Sequence, residues 1–359
     1  TDAAGLVFVG LFFGDAEAPR SWRERGWEIL ADELPKQVFP DGVDFEVSTA
    51  YHRLVLEIFL LPALYRRKAG LDVEEGYGER LGKMAGFAAA YSRPDGSIPL
   101  WGDADDGRLL PFGGQAINDH RYLTALTGLG FGNEDILSLA SGPTAEVFWT
   151  LGPDAVTKIP DTIEAPGSRG FRDGGVFIMR GGDDHVFIDA GPVGMAGRGG
   201  HGHNDCLSFE AVLMGVPLIT DCGAYVYSAD PAWRNDFRST GFHNTPVIGG
   251  EEQNRFVAPQ YLWSLHDDAE PDVRHWSAGE DRDRFIGAHS GYRRLPAPVT
   301  PVRGILLDKT AHRVVIADRF EGVGEHGIRV PYHFAPGVEA ARDGPGQWRL
   351  RARGKEFVL

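Results

Sequence analysis

The chain has 359 residues, 42% of them hydrophobic and 24% charged, with a formal net charge of −15. This composition excludes a disordered chain and leaves room for two domains with sizeable cores. The acidic balance, whose closest thing to a basic run is Arg66-Arg67-Lys68, excludes a nucleic-acid footprint; it weighs less against an anionic polymer, because a local cleft can be basic on an acidic protein.

In chain order, the apolar stretch "AGLVFVGLFFG" is too short to span a bilayer and reads as a core helix entered mid-way. "SWRERGWEILADELPKQVF" places Trp22, Trp27, Leu30 and Leu34 at helical spacing. "STAYHRLVLEIFLLPALYRR" sets Tyr51, Leu54, Val55, Ile58, Leu61 and Tyr65 on one stripe, with Ser48 or Thr49 as cap and Pro62 as a bend. "YGERLGKMAGFAAAYS" and "DHRYLTALTGLGF" supply two further helices. Long linkers rich in Gly, Pro and Asp join them, as expected of a layered α/α array.

From about residue 167 the period changes. "GGVFIMRG", "HVFIDAG", "LSFEAVLMG", "VPLITDCG", "NTPVIGG", "VRGILLDK" and "HRVVIADRF" are short β-branched and aromatic runs between glycine-rich turns. They do not alternate with helices, so an antiparallel sandwich is expected rather than a parallel sheet. The expected division is a helical domain over 1–160 and a β-domain over 167–359, with "TIEAPGSRGF" as linker. The last stretch, "WRLRARGKEFVL", reads as a strand, and both ends read as cuts in a longer chain. Cys206 and Cys222 exclude a disulfide framework and leave either one bridge or two free buried thiols.

The densest chemistry lies in "GRGGHGHNDCLSFEAVLMGVPLITDCG", residues 197–223. His203, Asp221 and the later His243 are zinc-type donors, and three protein ligands plus water make an open site. Polar loop-capping residues are the alternative. A turn centred on Gly215-Val216 would put Asp221 opposite Glu210, so the glycine-rich segment must fold back to bring His203 near it. On an extended segment His201 and His203 point to the same side, so one can bind metal while the other serves as a base. Tyr51 heads an apolar stripe and reads as a core tyrosine on pattern alone; His52 lies off the stripe and is a candidate substrate contact. "WGDADDGRL" is a near miss for a calcium loop, with Gly114 at position twelve, and reads as a polar turn rimming a cleft. In "AYVYSADPAWRNDFRSTGFHN", Arg234 and Arg238 offer forks for a carboxylate or sulfate. Asn204 is a further candidate substrate contact.

"GGHGHNDCLSFEAVLMGVPLITDCGAYVY" followed by "FRSTGFHNTPVIGG" resembles the β-domain of the heparinase II/III-like polysaccharide lyases, and "DGVDFEVSTAYHRLVLEIF" resembles the helical part of bacterial members. The resemblance implies an incomplete (α/α) toroid followed by an antiparallel β-sandwich, in an α+β multidomain chain. It implies β-elimination on a uronate-containing polysaccharide, with His201 catalytic, Tyr51 the acid, and Tyr227 a looser match for a second tyrosine. It implies a structural Zn²⁺ on His203, Asp221 and His243, and a periplasmic or secreted location. It places the family's carboxylate-neutralising Asn or His before Thr1. Two other classes compete. A cupin-type metal enzyme needs a glutamate four or five positions after the second histidine, where Leu207 and Ser208 stand. A non-catalytic carbohydrate-binding scaffold would keep the fold and the metal without turnover.

Overall fold

The computed structural model describes residues 1–161 and 164–359. Thr162 and Ile163, the first two residues of the expected linker, lie outside the described residues. The chain forms two compact units, and their boundary corrects the expected one: the helical unit takes residues 1–98 and 105–166, while the second takes 99–104 and 167–359.

The helical unit contains α1 (Asp2–Phe13), α2 (Glu17–Gln37), α3 (Thr49–Lys68), α4 (Glu75–Tyr91), α5 (Tyr122–Phe131), α6 (Glu134–Ser138), α7 (Ala145–Leu151) and α8 (Pro153–Val156). The first five match the expected helices. The last three are too short to carry a readable period. The apolar 4–14 stretch packs α1 against α2, and Gly10 permits the approach: a Cβ there would lie 2.5 Å from the Pro19 carbonyl oxygen. α3 sits at the centre, buried on most of its circumference. Ser48 caps it, its side chain accepting from the Tyr51 N–H. Leu56, Phe59, Leu60 and Leu64 of α3 join Trp27, Leu81, Met84, Leu123 and Leu126 in one core.

The second unit is built from antiparallel pairings. β1 (Arg169–Phe171), β2 (Val176–Gly181), β3 (Asp184–Asp189), β4 (Phe209–Leu213) and β5 (Val216–Ile219) form a five-stranded sheet in sequential order. α9 (Pro231–Phe237) and β6 (Val247–Ile248) follow. β7 (Pro271–Ala278), β8 (Arg282–His289), β9 (Val299–Asp308) and β10 (Arg313–Gly322) form a four-stranded meander. β11 (Ile328–Arg329) pairs with β6, and β12 (Glu339–Arg342), β13 (Trp348–Ala352) and β14 (Lys355–Val358) make a third sheet. The two larger sheets share one core, in which Phe177, Val186, Ile188 and Phe209 of the first meet Phe285, Ile305 and Leu307 of the second. Cys206 and Cys222 are free thiols, the first buried.

The β4–β5 hairpin departs from the expected register. Leu213 pairs with Val216, so Met214-Gly215 form the turn, both at positive φ. A register shift follows at Ala211/Val212. Glu210 consequently accepts from the Thr220 hydroxyl at 3.3 Å, and Asp221 runs past it toward His243.

Candidate functional site

The site in the second unit is organised by a segment that precedes that unit's strands by more than sixty residues of sequence. Residues 99–104 pack onto the sheet: the Leu100 N–H donates to Glu210 at 2.6 Å, and the Trp101 ring lies 5.7 Å from that of Phe187. The Asp103 N–H donates to the His201 carbonyl at 3.0 Å. This delivers Asp103, 1% exposed, into the glycine-borne loop.

The loop folds back as the hairpin geometry requires. Gly199 sits at φ +65°, where any Cβ would press against Leu265 and Val193 at 3.0 Å. Beyond it His201 and His203 point to the same side and reach one carboxylate. His201 Nδ1 lies 3.0 Å from Asp103 Oδ2, and His203 Nε2 lies 2.8 Å from Oδ1. Arg234 closes the network with contacts of 2.6 and 2.8 Å to the same two oxygens. Burial pushes the Asp103 carboxyl up, but the hydrogen bonds from both histidines and the Arg234 guanidinium outweigh it and bring it down to about 2. Asp103 is therefore ionised, and it is the residue that sequence reasoning passed over. Its near-calcium motif was a signal of polar chemistry, but the pattern could not say that the chain would split there.

A second imidazole–carboxylate pair lies alongside. His243 Nδ1 is 2.7 Å from Asp221 Oδ2, and the rings of His203 and His243 stand 5.3 Å apart. Burial disfavours the His243 cation, yet Asp221 raises its pKa above the ordinary value; the Asp221 carboxyl is lowered in turn, its burial outweighed by His243. Candidate ligand atoms of His203, Asp205 and His243 all lie within 4.8 Å of one another. Among the described residues, His203 Nδ1 and His243 Nε2 are buried nitrogens with no hydrogen-bond partner. Burial, opposed by His243 and His203, leaves the Asp205 carboxyl raised. Two orphaned imidazole nitrogens beside a buried carboxylate are a donor set that fits a zinc-type cation. Asp205, not foreseen, joins that group. Asp221, expected as a ligand, lies against His243 in this structure, with its other oxygen accepting from the Gly223 N–H at 2.9 Å.

Around His201 the surface is aromatic. The Trp263 ring lies 5.6 Å from that of His201 and 4.9 Å from that of Tyr227. The Tyr227 hydroxyl donates to the Ala104 carbonyl at 2.8 Å. The His201 side chain keeps 19% exposure.

Four expected substrate contacts are buried in the structure. Arg234 is fully buried, its charge spent on Asp103 and its guanidinium set over the Tyr227 and Trp263 rings. Arg238 is fully buried over Phe256, bonded to Asn235 and to the carbonyls of Tyr261 and Ser264. Asn204 is buried and ties Glu252 to the Asn254 backbone. In the helical unit His52 is a core histidine: Nε2 lies 3.0 Å from the Met84 carbonyl and the ring packs edge-on against Phe87. All four are polar side chains engaged with protein groups, which composition cannot distinguish from ligand contacts. Tyr51, at the start of α3, is half-buried.

Residues 164–358 match the family model described as heparinase II/III-like, C-terminal, and residues 1–110 match that of the heparinase II/III N-terminus. The chain is 26% identical over 275 residues to a heparin-sulfate lyase of Pedobacter heparinus, and 27% identical over 271 residues to one of Bacteroides stercoris. Each match covers 73% of this chain and 37% of the relative, so the chain spans well under half of their length. A solved heparan sulfate lyase from Pedobacter heparinus superposes with a TM-score of 0.72 at 22% identity, covering 98% of this chain and 50% of that one. The mixed helical and antiparallel architecture and the family models, which together span most of the sequence, place this chain in the heparinase II/III-like family.

Proposed function

We propose that this chain carries the proton-transfer centre of a polysaccharide lyase that cleaves a uronate-containing polysaccharide by β-elimination. The observation that carries the reading is the His201–Asp103 pair: an imidazole gripped on Nδ1 by a buried carboxylate, with the Trp263 ring beside it. The family relatives named as heparin-sulfate lyases support the substrate class. In finer architectural terms, we take the helical unit as part of an incomplete (α/α) toroid and the second unit as a β-sandwich.

The C5 proton of a uronic acid lies α to a carboxylate and is weakly acidic. His201 Nε2 accepts that proton, the C5–H pair becomes the C4=C5 double bond, and the C4–O4 bond breaks. The departing O4 takes a proton from a tyrosine hydroxyl. Tyr51 fills that role by its motif, and Tyr227 is the tyrosine that shares Trp263 with His201. Stabilising the developing enolate is the electrostatic part of the task. The Trp263 and Tyr227 rings offer an apolar wall for a sugar face.

His203, Asp205 and His243 would hold a structural Zn²⁺, with Asp221 orienting His243. Such an ion would pin the loop that carries His201. The test is incubation with alginate, heparan sulfate, hyaluronan and bacterial exopolysaccharides, read by the ultraviolet absorbance of an unsaturated uronate. Absorbance that grows with wild type and vanishes in His201→Ala supports the reading. Binding without any new absorbance across the panel would replace it with a carbohydrate-binding role.

A further inference from the structure

We propose that Asp103 is a positioning residue that fixes opposite tautomers in two histidines two residues apart: the Nδ1–H form in His201 and the Nε2–H form in His203. The tautomers follow from geometry, and their catalytic consequence rests on the lyase reading above.

Asp103 is buried and carries both contacts on one carboxylate, Oδ2 to His201 Nδ1 and Oδ1 to His203 Nε2. Arg234, itself fully buried, pairs with both oxygens. A carboxylate held by a guanidinium in this way only accepts. Each ring must therefore turn an N–H toward it. Arg234 Nη1 also lies 3.3 Å from His203 Nε2, but it is engaged with Asp103 at 2.6 Å, so the ring nitrogen remains the donor to the carboxylate at 2.8 Å.

In a neutral imidazole one nitrogen donates and the other accepts. The lone pair of His201 therefore sits on Nε2, the nitrogen turned away from Asp103, where a base must present it. The lone pair of His203 sits on Nδ1, which is buried and without a hydrogen-bond partner, and which belongs to the candidate cation group. Free imidazole side chains in water favour the Nε2–H form, so Asp103 sets His201 against its own preference. One carboxylate thus prepares a proton acceptor on one side and a metal ligand on the other. This links the two functions without substrate or ion touching Asp103 itself.

The direct test is a long-range ¹H–¹⁵N correlation spectrum of the metal-free chain, with the two rings assigned through His201→Gln and His203→Gln. The expected pattern is Nδ1–H for His201 and Nε2–H for His203. An Nε2–H form or fast tautomer exchange at His201 overturns the proposal. The second arm is Asp103→Asn, which keeps the volume but offers one acceptor and one donor. At least one ring should then change tautomer. On any uronate polymer that wild type cleaves, kcat should fall about a hundredfold or more while KM stays within about threefold, as expected for a mis-set base. Unchanged tautomers and unchanged kcat in that variant also overturn it. Should Asp103→Asn fail to fold, the wild-type spectrum alone decides. Should wild type cleave no uronate polymer, the lyase reading falls while the spectrum still decides the tautomers.

Discussion

His243 and Asp221 are joined by a 2.7 Å hydrogen bond from imidazole Nδ1 to carboxylate Oδ2, and that bond leaves His243 Nε2 as the ring's open nitrogen. A carboxylate behind a histidine fixes the ring and raises its basicity toward whatever the far nitrogen meets. On the proposed zinc reading Asp221 and Asp205 have different parts, although both are buried acids near the same ring.

Metal titration separates those parts. Asp205→Ala should abolish stoichiometric zinc, whereas Asp221→Ala should retain it with about 10- to 100-fold weaker affinity, the usual cost of losing a partner behind a ligating histidine. Calorimetry with Zn²⁺ checks this, and chelation should lower the melting temperature of wild type but not of His203→Ala. Equal, undiminished binding in both aspartate variants would contradict the assignment.

His201→Ala and Tyr51→Phe should each reduce turnover on a cleavable uronate polymer by about 10²-fold or more, the scale of general acid–base catalysis. Their melting temperatures should stay near wild type, because His201 is partly exposed and Tyr51→Phe keeps the ring. Parallel loss of melting temperature and activity would instead mark these as structural residues.

Glu57 is a stability lever in the helical unit. It is 1% exposed and accepts from Arg108 Nε at 2.6 Å, from the Leu109 N–H at 2.7 Å, and from the Tyr122 hydroxyl. Glu57→Ala would strip a buried guanidinium of one of its two acidic partners among the described residues, leaving Glu146. A loss of about 3 kcal/mol is expected, measurable as a shift in denaturant midpoint at constant slope.

His52 gives the helical unit an acid-sensitive edge. Burial, only partly opposed by the Met84 carbonyl, lowers its pKa from 6.5 to about 4. The unfolded chain thus takes up the proton first as pH falls through 6.5, and stability declines from there down to about 4. Between pH 7 and pH 5 this group should cost about 2 kcal/mol. Denaturant midpoints of His52→Gln should show a flatter dependence over that window than wild type; an identical slope would refute it.

The helices of the N-terminal half were legible because α1 to α5 are long enough to repeat their period, and Ser48 announced α3. The strands were legible from β-branched runs, but the β4–β5 register was not. Met214 adopts positive φ where Asn or Gly is the usual signal, and a bulge then offsets the pairing. At the site, the two histidines and His243 stood out by residue type. Asp103 did not, because its partners lie about a hundred residues away and a one-dimensional pattern carries no such distance. Arg234, Arg238 and Asn204 show the converse: fully buried polar side chains are written in the same letters as exposed ones.

The way residues 99–104 leave the helical part of the sequence and join the sheets has a practical corollary for anyone dissecting this protein. A β-fragment expressed from Gly167 onward would contain every strand and all three of its site histidines, yet it would be missing the acid that anchors two of them and the indole that covers Phe187. Such a fragment should need the hexapeptide Pro99–Ala104 supplied, in trans or by a permuted fusion, before its imidazoles settle into the arrangement they hold in the intact chain.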